Sequence, residues 1–250
     1  MTDFNSQGLP ISSESLSHFS SRRINTLLDA MEAPARYLEI GVETGFTFFA
    51  VSAAFKTAVD PEFLFDVPAA KAENSNSEFH QITSDEFFAT RHSEENFDLV
   101  FLDGLHTWDQ TYRDFCNTLL VTGSNSVIVL DDIFPSDVFS CNRDQVEGMM
   151  MRQFMTGDAS NAWHGDTYKI IPLIQTFHPT LSYCTIISDG NPQSLVWRSK
   201  HPLMPPMNLI KEQGSLNMSS LDYLWFLRNQ QSYNLMTEAE ALALVTEALH

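Results

Sequence analysis

The sequence is short of several things, and each shortage excludes a class of protein. It has three cysteines in 250 residues, Cys116, Cys141 and Cys184. They are odd in number, far apart and without a CxxC pair, which speaks against a disulfide framework or a zinc ribbon and leaves ordinary buried or half-buried thiols. It has no long apolar run. Stretches such as Leu99–Leu102 and Val127–Leu130 fall far below the ~20 residues that cross a bilayer. The start, Met1-Thr2-Asp3-Phe4-Asn5, has neither the basic residues nor the apolar core of a signal peptide, so a soluble, cytoplasmic protein is expected. Positive charge is scarce as well: 14 Lys and Arg stand against 32 Asp and Glu, for a net charge of −18. A surface this acidic repels phosphate backbones and anionic lipids, so neither nucleic acid nor a membrane is expected as partner. The same charge also serves plain solubility.

What is present is ordinary globular composition, 43% hydrophobic, in a length that suits one large α/β domain with a terminal accessory segment. Residues 1–12 read as a lead broken by Gly8 and Pro10, and a helix is expected from about Ser13 to Met31. Tyr37-Leu38-Glu39-Ile40-Gly41 reads as a buried strand, Phe46 to Phe55 as a helix, and Ala58-Val59-Asp60-Pro61 as a second strand. Residues 66–78 read as loop, His80 to Asp85 as a weak third strand and Asp85 to Thr90 as a short helix. Phe97 to Asp103 and Ser126 to Leu130 are clear strands, separated by a helix carrying Trp108, Tyr112, Phe115 and Leu119 as core residues. Beyond Pro135 the spacing predicts a helix over Asp166 to Phe177, then strands Leu181–Ser188 and Ser194–Arg198 around a turn at Ser188-Asp189-Gly190-Asn191-Pro192. The proline-rich stretch His201 to Pro206 marks a boundary, followed by helices near 219–229 and 237–249, the second opened by a capping box of Thr237 and Glu240. Three segments result: a helical lead 1–34, a main domain 35–200 and a helical extension 201–250.

Strands alternating with helices, each strand apolar throughout, indicate a mostly parallel sheet covered on both faces. Ligands of such sheets bind beyond the carboxyl ends of the strands. There this sequence collects polar residues: Glu39 and Gly41, Asp60, Ser84 and Asp85, Asp103, and Asp131 with Asp132. A single carboxylate at a strand end is often just a helix cap; five successive strands ending this way are harder to explain so. A dinucleotide fold needs glycine at the second position of its first turn, where pyrophosphate approaches the backbone. Here Gly41-Val42-Glu43-Thr44-Gly45 places Glu43 there, which opposes a pyrophosphate and so a nicotinamide dinucleotide. Asp60 follows Gly41 at the spacing expected of an acid that holds a ribose diol.

Leu38 to Gly45 resembles the E-x-G-x-x-x-G signature of class I S-adenosylmethionine-dependent methyltransferases. Phe97 to His106 is similar to their fourth-strand motif and Val127 to Asp132 to their fifth. The likeness covers roughly residues 35–135. It implies a Rossmann-like, mostly parallel seven-stranded sheet with an antiparallel edge hairpin, helices on both faces and a C-terminal helical segment. It also implies that Glu39, Gly41 and Gly45 flank the methionine end of S-adenosylmethionine, that Asp60 holds the ribose hydroxyls, and that Ser84 and Asp85 lie beside the adenine. The middle glycine of the usual turn is absent.

Asp103, Asp131 and Asp132 narrow the resemblance to metal-dependent catechol-type and caffeoyl-coenzyme A O-methyltransferases and related sugar and macrolide enzymes. That implies Mg2+ or another divalent cation on these three acids, since a hard ion takes oxygen ligands and keeps positions for substrate oxygens. The alternative is that Asp131 faces the cofactor and Asp132 caps the next segment. His106 stands where the catechol-type pattern has a lysine and is the candidate general base; preceding a helix, it is expected to be neutral. It could equally be a cap. Asp103 joins it as a catalytic candidate and is counted among the cofactor-binding residues as well. Trp163 and His164, on the long connection after the fifth strand, are candidates for the acceptor pocket, and Met149-Met150-Met151 for an apolar wall or for packing. The expected activity is methyl transfer to a small hydroxylated acceptor, a sugar or natural-product moiety. The rivals are a non-catalytic S-adenosylmethionine-binding partner subunit and an NAD-dependent oxidoreductase. The C-terminal helices, with Tyr223, Leu224, Phe226, Leu242 and Val245 as apolar positions, are candidates to cover the pocket or to join two copies as a homodimer.

Overall fold

The strands are apolar on both sides, and the computed structural model shows why. Along β1 (Arg36–Ile40), β4 (Phe97–Leu102) and β5 (Thr122–Leu130), successive side chains enter two different cores. Tyr37, Leu99, Phe101, Val127 and Val129 face one core. Leu38, Val100, Leu102, Ile128 and Leu130 face the other. The period-two alternation of a strand thus feeds two apolar layers. The structure describes residues 18–31, 34–90, 96–199, 201–210 and 217–250. The lead 1–12 and the start of the helix expected from Ser13 lie outside them.

The elements run α1 (Phe19–Asp29), β1, α2 (Phe46–Ala50), β2 (Phe55–Val59), α3 (Val67–Glu73), β3 (Ser77–His80), α4 (Ser84–Thr90), β4, α5 (Trp108–Thr118) and β5. They continue with α6 (Gln145–Thr156), α7 (Ile170–Phe177), β6 (Leu181–Ile186), β7 (Gln193–Arg198), α8 (Tyr223–Arg228), β8 (Leu235–Met236) and α9 (Glu238–Ala248). The sheet order is β3-β2-β1-β4-β5-β7-β6-β8. β1 to β5 are parallel neighbours, and β7 runs antiparallel to both β5 and β6. This is the Rossmann-like sheet expected, with one correction: among the described residues it has eight strands, not seven. The two-residue β8 pairs with β6 outside the hairpin, too short to leave a period in the sequence.

Other differences have local causes. Residues 66–78 are not loop: Asp66 caps α3 by accepting from the Ala69 amide, with a proline in the first turn, and β3 follows. That start signal is present, but the helix buries only Ala70 and shows no apolar stripe. The third strand ends at His80, and Thr83 with Glu86 forms a reciprocal cap on α4. α2 stops at Ala50, so β2 starts earlier than expected. The unanticipated α6 runs from the Asp144 cap to Gly157. Its Met150 and Met151 are exposed, so they are no packed wall. Among the C-terminal apolar positions, Phe226 and Val245 are fully buried in the two cores and only Leu224 is well exposed. The three thiols are unpaired. No described helix is long and apolar enough to cross a membrane.

The amino- and carboxyl-terminal helices are joined by a buried cation. Arg23 has no solvent exposure. Its guanidinium donates to Glu238 Oε2 (2.7 Å), Gln193 Oε1 (2.9 Å) and the carbonyls of Asn191 (2.8 Å) and Ser188 (2.7 Å). α1, α9 and the β6–β7 turn therefore share one hub. Glu238 also accepts from the more exposed Arg22. Replacing Arg23 with Ala should lower the stability read by urea unfolding by about 3 kcal/mol, because a buried guanidinium and its acceptors are lost together. Arg22→Ala should cost less than about 1 kcal/mol, as half-exposed pairs do; equal losses would contradict the burial argument.

Candidate active site

Backbone bonding continues one residue beyond four of the parallel strands, β1, β2, β4 and β5. Asp60 N donates to His80 O (3.2 Å), Gly41 N to Val59 O (3.0 Å), Asp103 N to Ile40 O (2.9 Å) and Asp131 N to Leu102 O (3.1 Å). The polar residues that follow the strands are thereby lined up along one edge of the sheet. They open onto a cleft of about 840 Å³. Order reverses between β1 and β4, the position where open α/β sheets bind ligands. Of the residues singled out from sequence, Glu39, Gly41, Asp60, Ser84, Asp85, Asp103, His106, Asp131, Asp132 and Trp163 all line this cleft, while Gly45 and His164 do not. Gly45 caps α2, and His164 lies buried behind Asp132.

One half of the cleft is built on the turn after β1. Gly41 has φ +86, and a Cβ there would stand 2.0 Å from the Asp103 carbonyl oxygen. Only glycine permits the β1 and β4 ends to approach so closely. The turn is tied to β2 by Asp60, whose Oδ2 accepts from the amides of Val42 (2.7 Å) and Glu43 (2.9 Å) and whose Oδ1 accepts from Glu62 N (2.8 Å). A carboxylate has about four acceptor positions, so three amides leave room for one further donor. Glu43 is held at φ +46. Below the turn, Glu39 is buried and accepts from the Tyr37 hydroxyl at 2.5 Å. Burial pushes its carboxyl well above the usual range, against the pull of Tyr37 and of the buried Lys56. At the far end Gln110 Nε2 donates to Ser84 Oγ (3.1 Å) and Asp114 Oδ1 (3.0 Å), and Arg113 pairs with Asp85 (3.2 Å).

The other half is a crowd of acids around an imidazole. Asp131 and Asp132 are buried, and burial raises the carboxyl pKa of both, as does repulsion from neighbouring carboxylates. Asp103 is raised the same way, by desolvation and by the charge of Asp131. Asp132 is held at φ +55, a conformation that costs a non-glycine residue ~1 kcal/mol or more. His106 lies between them, with Nδ1 3.0 Å from Asp132 Oδ2 and Nε2 3.6 Å from Asp103 Oδ1. The 3.0 Å approach is not aligned as a hydrogen bond, and that buried nitrogen has no hydrogen-bond partner. The expectation of a neutral ring is not met. Burial pulls its pKa down, but the surrounding Asp103, Asp132 and Asp131 outweigh burial and raise it to about 9. The start of α5 is instead satisfied by Asp166, which accepts from Trp108 N at 2.9 Å.

The segment Trp163–Asp166 fixes the His106 ring. Trp163 stacks on it at 4.7 Å between centroids. Gly165 has φ +59, and a Cβ there would fall 1.7 Å from the His106 carbonyl oxygen. Sequence reasoning missed the residue that orders the acids. Asn191 Nδ2 donates to Asp131 Oδ1 and to Asp132 Oδ1, both at 2.7 Å, and its Oδ1 lies 3.2 Å from His164 Nε2. It stands in the β6–β7 turn, about sixty positions from the acids it binds; its asparagine-proline signal reads as a turn and nothing more. Gln110 and Asp114 were missed too, since helical spacing marks them as a solvated face.

The donor set at the acidic end suits a cation: one atom each of Asp103, His106 and Asp132 lie within 4.8 Å of one another. The other end offers a glycine turn and a carboxylate with spare capacity, as a nucleoside needs.

No curated protein matches the chain by sequence. Among solved structures, the O-methyltransferase TomG from Streptomyces achromogenes, involved in tomaymycin synthesis and solved with SAM, is 16% identical over 76% of this chain and 91% of its own, with a TM-score of 0.47. The cofactor-bound Rv0187 from MTB is 16% identical over 76% and 82%, with a TM-score of 0.49. The spermidine synthase from Thermotoga maritima is 12% identical over 96% and 74%, with a TM-score of 0.45. At these values the likenesses carry no inference about chemistry. Residues 38–133 match the family model described as a methyltransferase domain, a span that runs from β1 through the Asp131–Asp132 pair. That segment is similar to methyltransferase domains and takes in both ends of the cleft.

Proposed function

We propose that the protein transfers a methyl group from S-adenosylmethionine to an oxygen of a small hydroxylated acceptor, with a divalent cation at the acidic end of the cleft. The observation that carries this reading is the sharing of one cleft by the Gly41–Asp60 turn and the Asp103–His106–Asp132 cluster. A nucleoside donor and an acceptor hydroxyl are then neighbours rather than ligands of separate sites.

In this reading Asp60 uses its remaining acceptor position for a ribose hydroxyl, while its other contacts keep the turn rigid. Glu39 and the open backbone at Gly41 flank the amino-acid end, and Ser84 with Gln110 borders the base. Glu43 faces the cleft where a dinucleotide would bring its pyrophosphate, which favours the sulfonium donor over a nicotinamide cofactor. The donor supplies an electrophilic methyl carbon, and the cation lowers the pKa of a coordinated hydroxyl and fixes its direction. The protein's share is alignment, which in favourable cases contributes ~7–11 kcal/mol. Trp163 and the exposed Leu105 and Phe46 form an apolar rim that excludes water around the acceptor. His106 as base requires a neutral ring, which the surrounding carboxylates oppose.

Two measurements test the halves separately. Gly41→Ala should weaken binding of S-adenosylhomocysteine, followed by isothermal titration, at least about 100-fold, since the added methyl displaces the β4 end. Gly123→Ala, where a Cβ meets nothing closer than 3.8 Å, should leave it unchanged. Asp103→Ala, or a chelator added to the unaltered protein, should lower methylation of hydroxylated acceptors by at least about 100-fold. Full turnover in chelator would remove the cation from the reading and leave the donor half standing.

A further inference from the structure

The resemblance noted in the sequence assigns the cation to Asp103, Asp131 and Asp132. The side chains are arranged otherwise. Asp131 is not among the residues whose ligand atoms converge, and its Oδ1 accepts from Asn191 Nδ2 at 2.7 Å and from the Asp132 amide at 2.8 Å. The atoms that converge within 4.8 Å belong to Asp103, His106 and Asp132. Asn191 also occupies Asp132 Oδ1, which leaves Oδ2 as the free oxygen, and that oxygen is the one 3.0 Å from His106 Nδ1. The nitrogen is buried and has no hydrogen-bond partner, although a carboxylate oxygen lies within reach of it. An imidazole held against two carboxylates without an aligned bond to the nearer one has the disposition of a ligand facing other ligands rather than of a donor facing its acceptor.

We propose that His106 is a metal ligand through a ring nitrogen, completing a carboxylate–imidazole–carboxylate set with Asp103 and Asp132, and that the ion is a nitrogen-accepting transition metal such as Mn2+ rather than Mg2+. Asp131 and Asn191 are positioning residues: they hold Asp132 in its strained backbone conformation and choose which of its oxygens faces the ion. Trp163, stacked at 4.7 Å, fixes the plane of the ligating ring. The chemistry of the donors decides the class of ion. Mg2+ takes oxygen ligands almost exclusively, whereas imidazole suits first-row transition ions. With His106 spent on the ion, deprotonation of the acceptor falls to the metal's effect on the hydroxyl itself. The inference rests on the cation half of the proposed function and is independent of the donor half.

The test uses the full chain and two ions without acceptor. Mn2+ and Mg2+ are titrated calorimetrically, and the Mn2+ complex is examined by pulsed electron paramagnetic resonance for coupling to a nitrogen nucleus. Mn2+ should bind at least about tenfold tighter than Mg2+. Nitrogen coupling should be present, and lost in His106→Phe. Asp131→Asn should retain both the coupling and most of the affinity, whereas Asp132→Asn should lose the affinity. Circular dichroism melting of each variant separates lost ligation from lost folding. Equal affinity for Mg2+ with no nitrogen coupling would overturn the ligand set, as would loss of binding in Asp131→Asn with full binding in His106→Phe. Absence of binding by either ion would overturn it together with the cation half, and S-adenosylhomocysteine titration on the same sample shows whether the donor half survives.

Discussion

The constraint on which the site depends is the crowding of negative charge at the carboxyl edge of the sheet. Asp103, Asp131 and Asp132 are brought together where desolvation and mutual repulsion both oppose ionisation. Nothing in folding alone rewards that arrangement; an apolar or amide residue at each position would be less costly. The crowd persists because the register of β1, β4 and β5 puts the strand ends side by side, and because the Asn191 amide and the His106 ring stand between the acids. Strain at Asp132 adds to the same bill. Stability given up at one edge of a sheet is characteristic of a place where a ligand restores it.

The rigidity required there comes from far along the chain. The β6–β7 turn presents Asn191 to the acids, and Arg23 of α1 grips that turn by two carbonyls and by Gln193. Glu238, the first residue of α9, holds Arg23 in turn. A helix from each end of the chain thereby contributes to the position of an asparagine that touches Asp131 and Asp132. On the opposite side the Trp163–Asp166 segment folds over His106, with Gly165 allowing the contact and Asp166 capping α5. The core of the sheet sets the coarse position of each acid. These outer pieces set the fine one.

Much of this was legible in the sequence, because the strongest signals are periodic and local. Uniformly apolar strands each followed by a polar residue gave the parallel sheet and its ligand-bearing edge, and Gly41 and Gly45 marked the first turn. Short or weakly apolar elements were not legible: α3 buries one alanine, and β8 has two residues. The partners of the acids were hidden for a different reason. Asn191 and Arg23 act across about sixty and about 170 positions, and neither carries a pattern that distinguishes it from a turn residue or a surface cation. The charge state of His106 was misread because helix position is one local cue, while the field that decides it combines Asp103 at the end of its own strand with Asp131 and Asp132 at the end of β5.

The central claim is that one cleft holds a sulfonium nucleoside at one end and a metal-bound hydroxyl at the other. A crystal structure of the protein grown with S-adenosylhomocysteine and Mn2+ tests it most directly. The account predicts density for the nucleoside between the Gly41–Gly45 turn and Asp60, with the sulfur facing Asp103 and an anomalous peak beside His106 and Asp132. A nucleoside bound elsewhere, or a cleft that excludes it while the protein remains folded, would contradict the account.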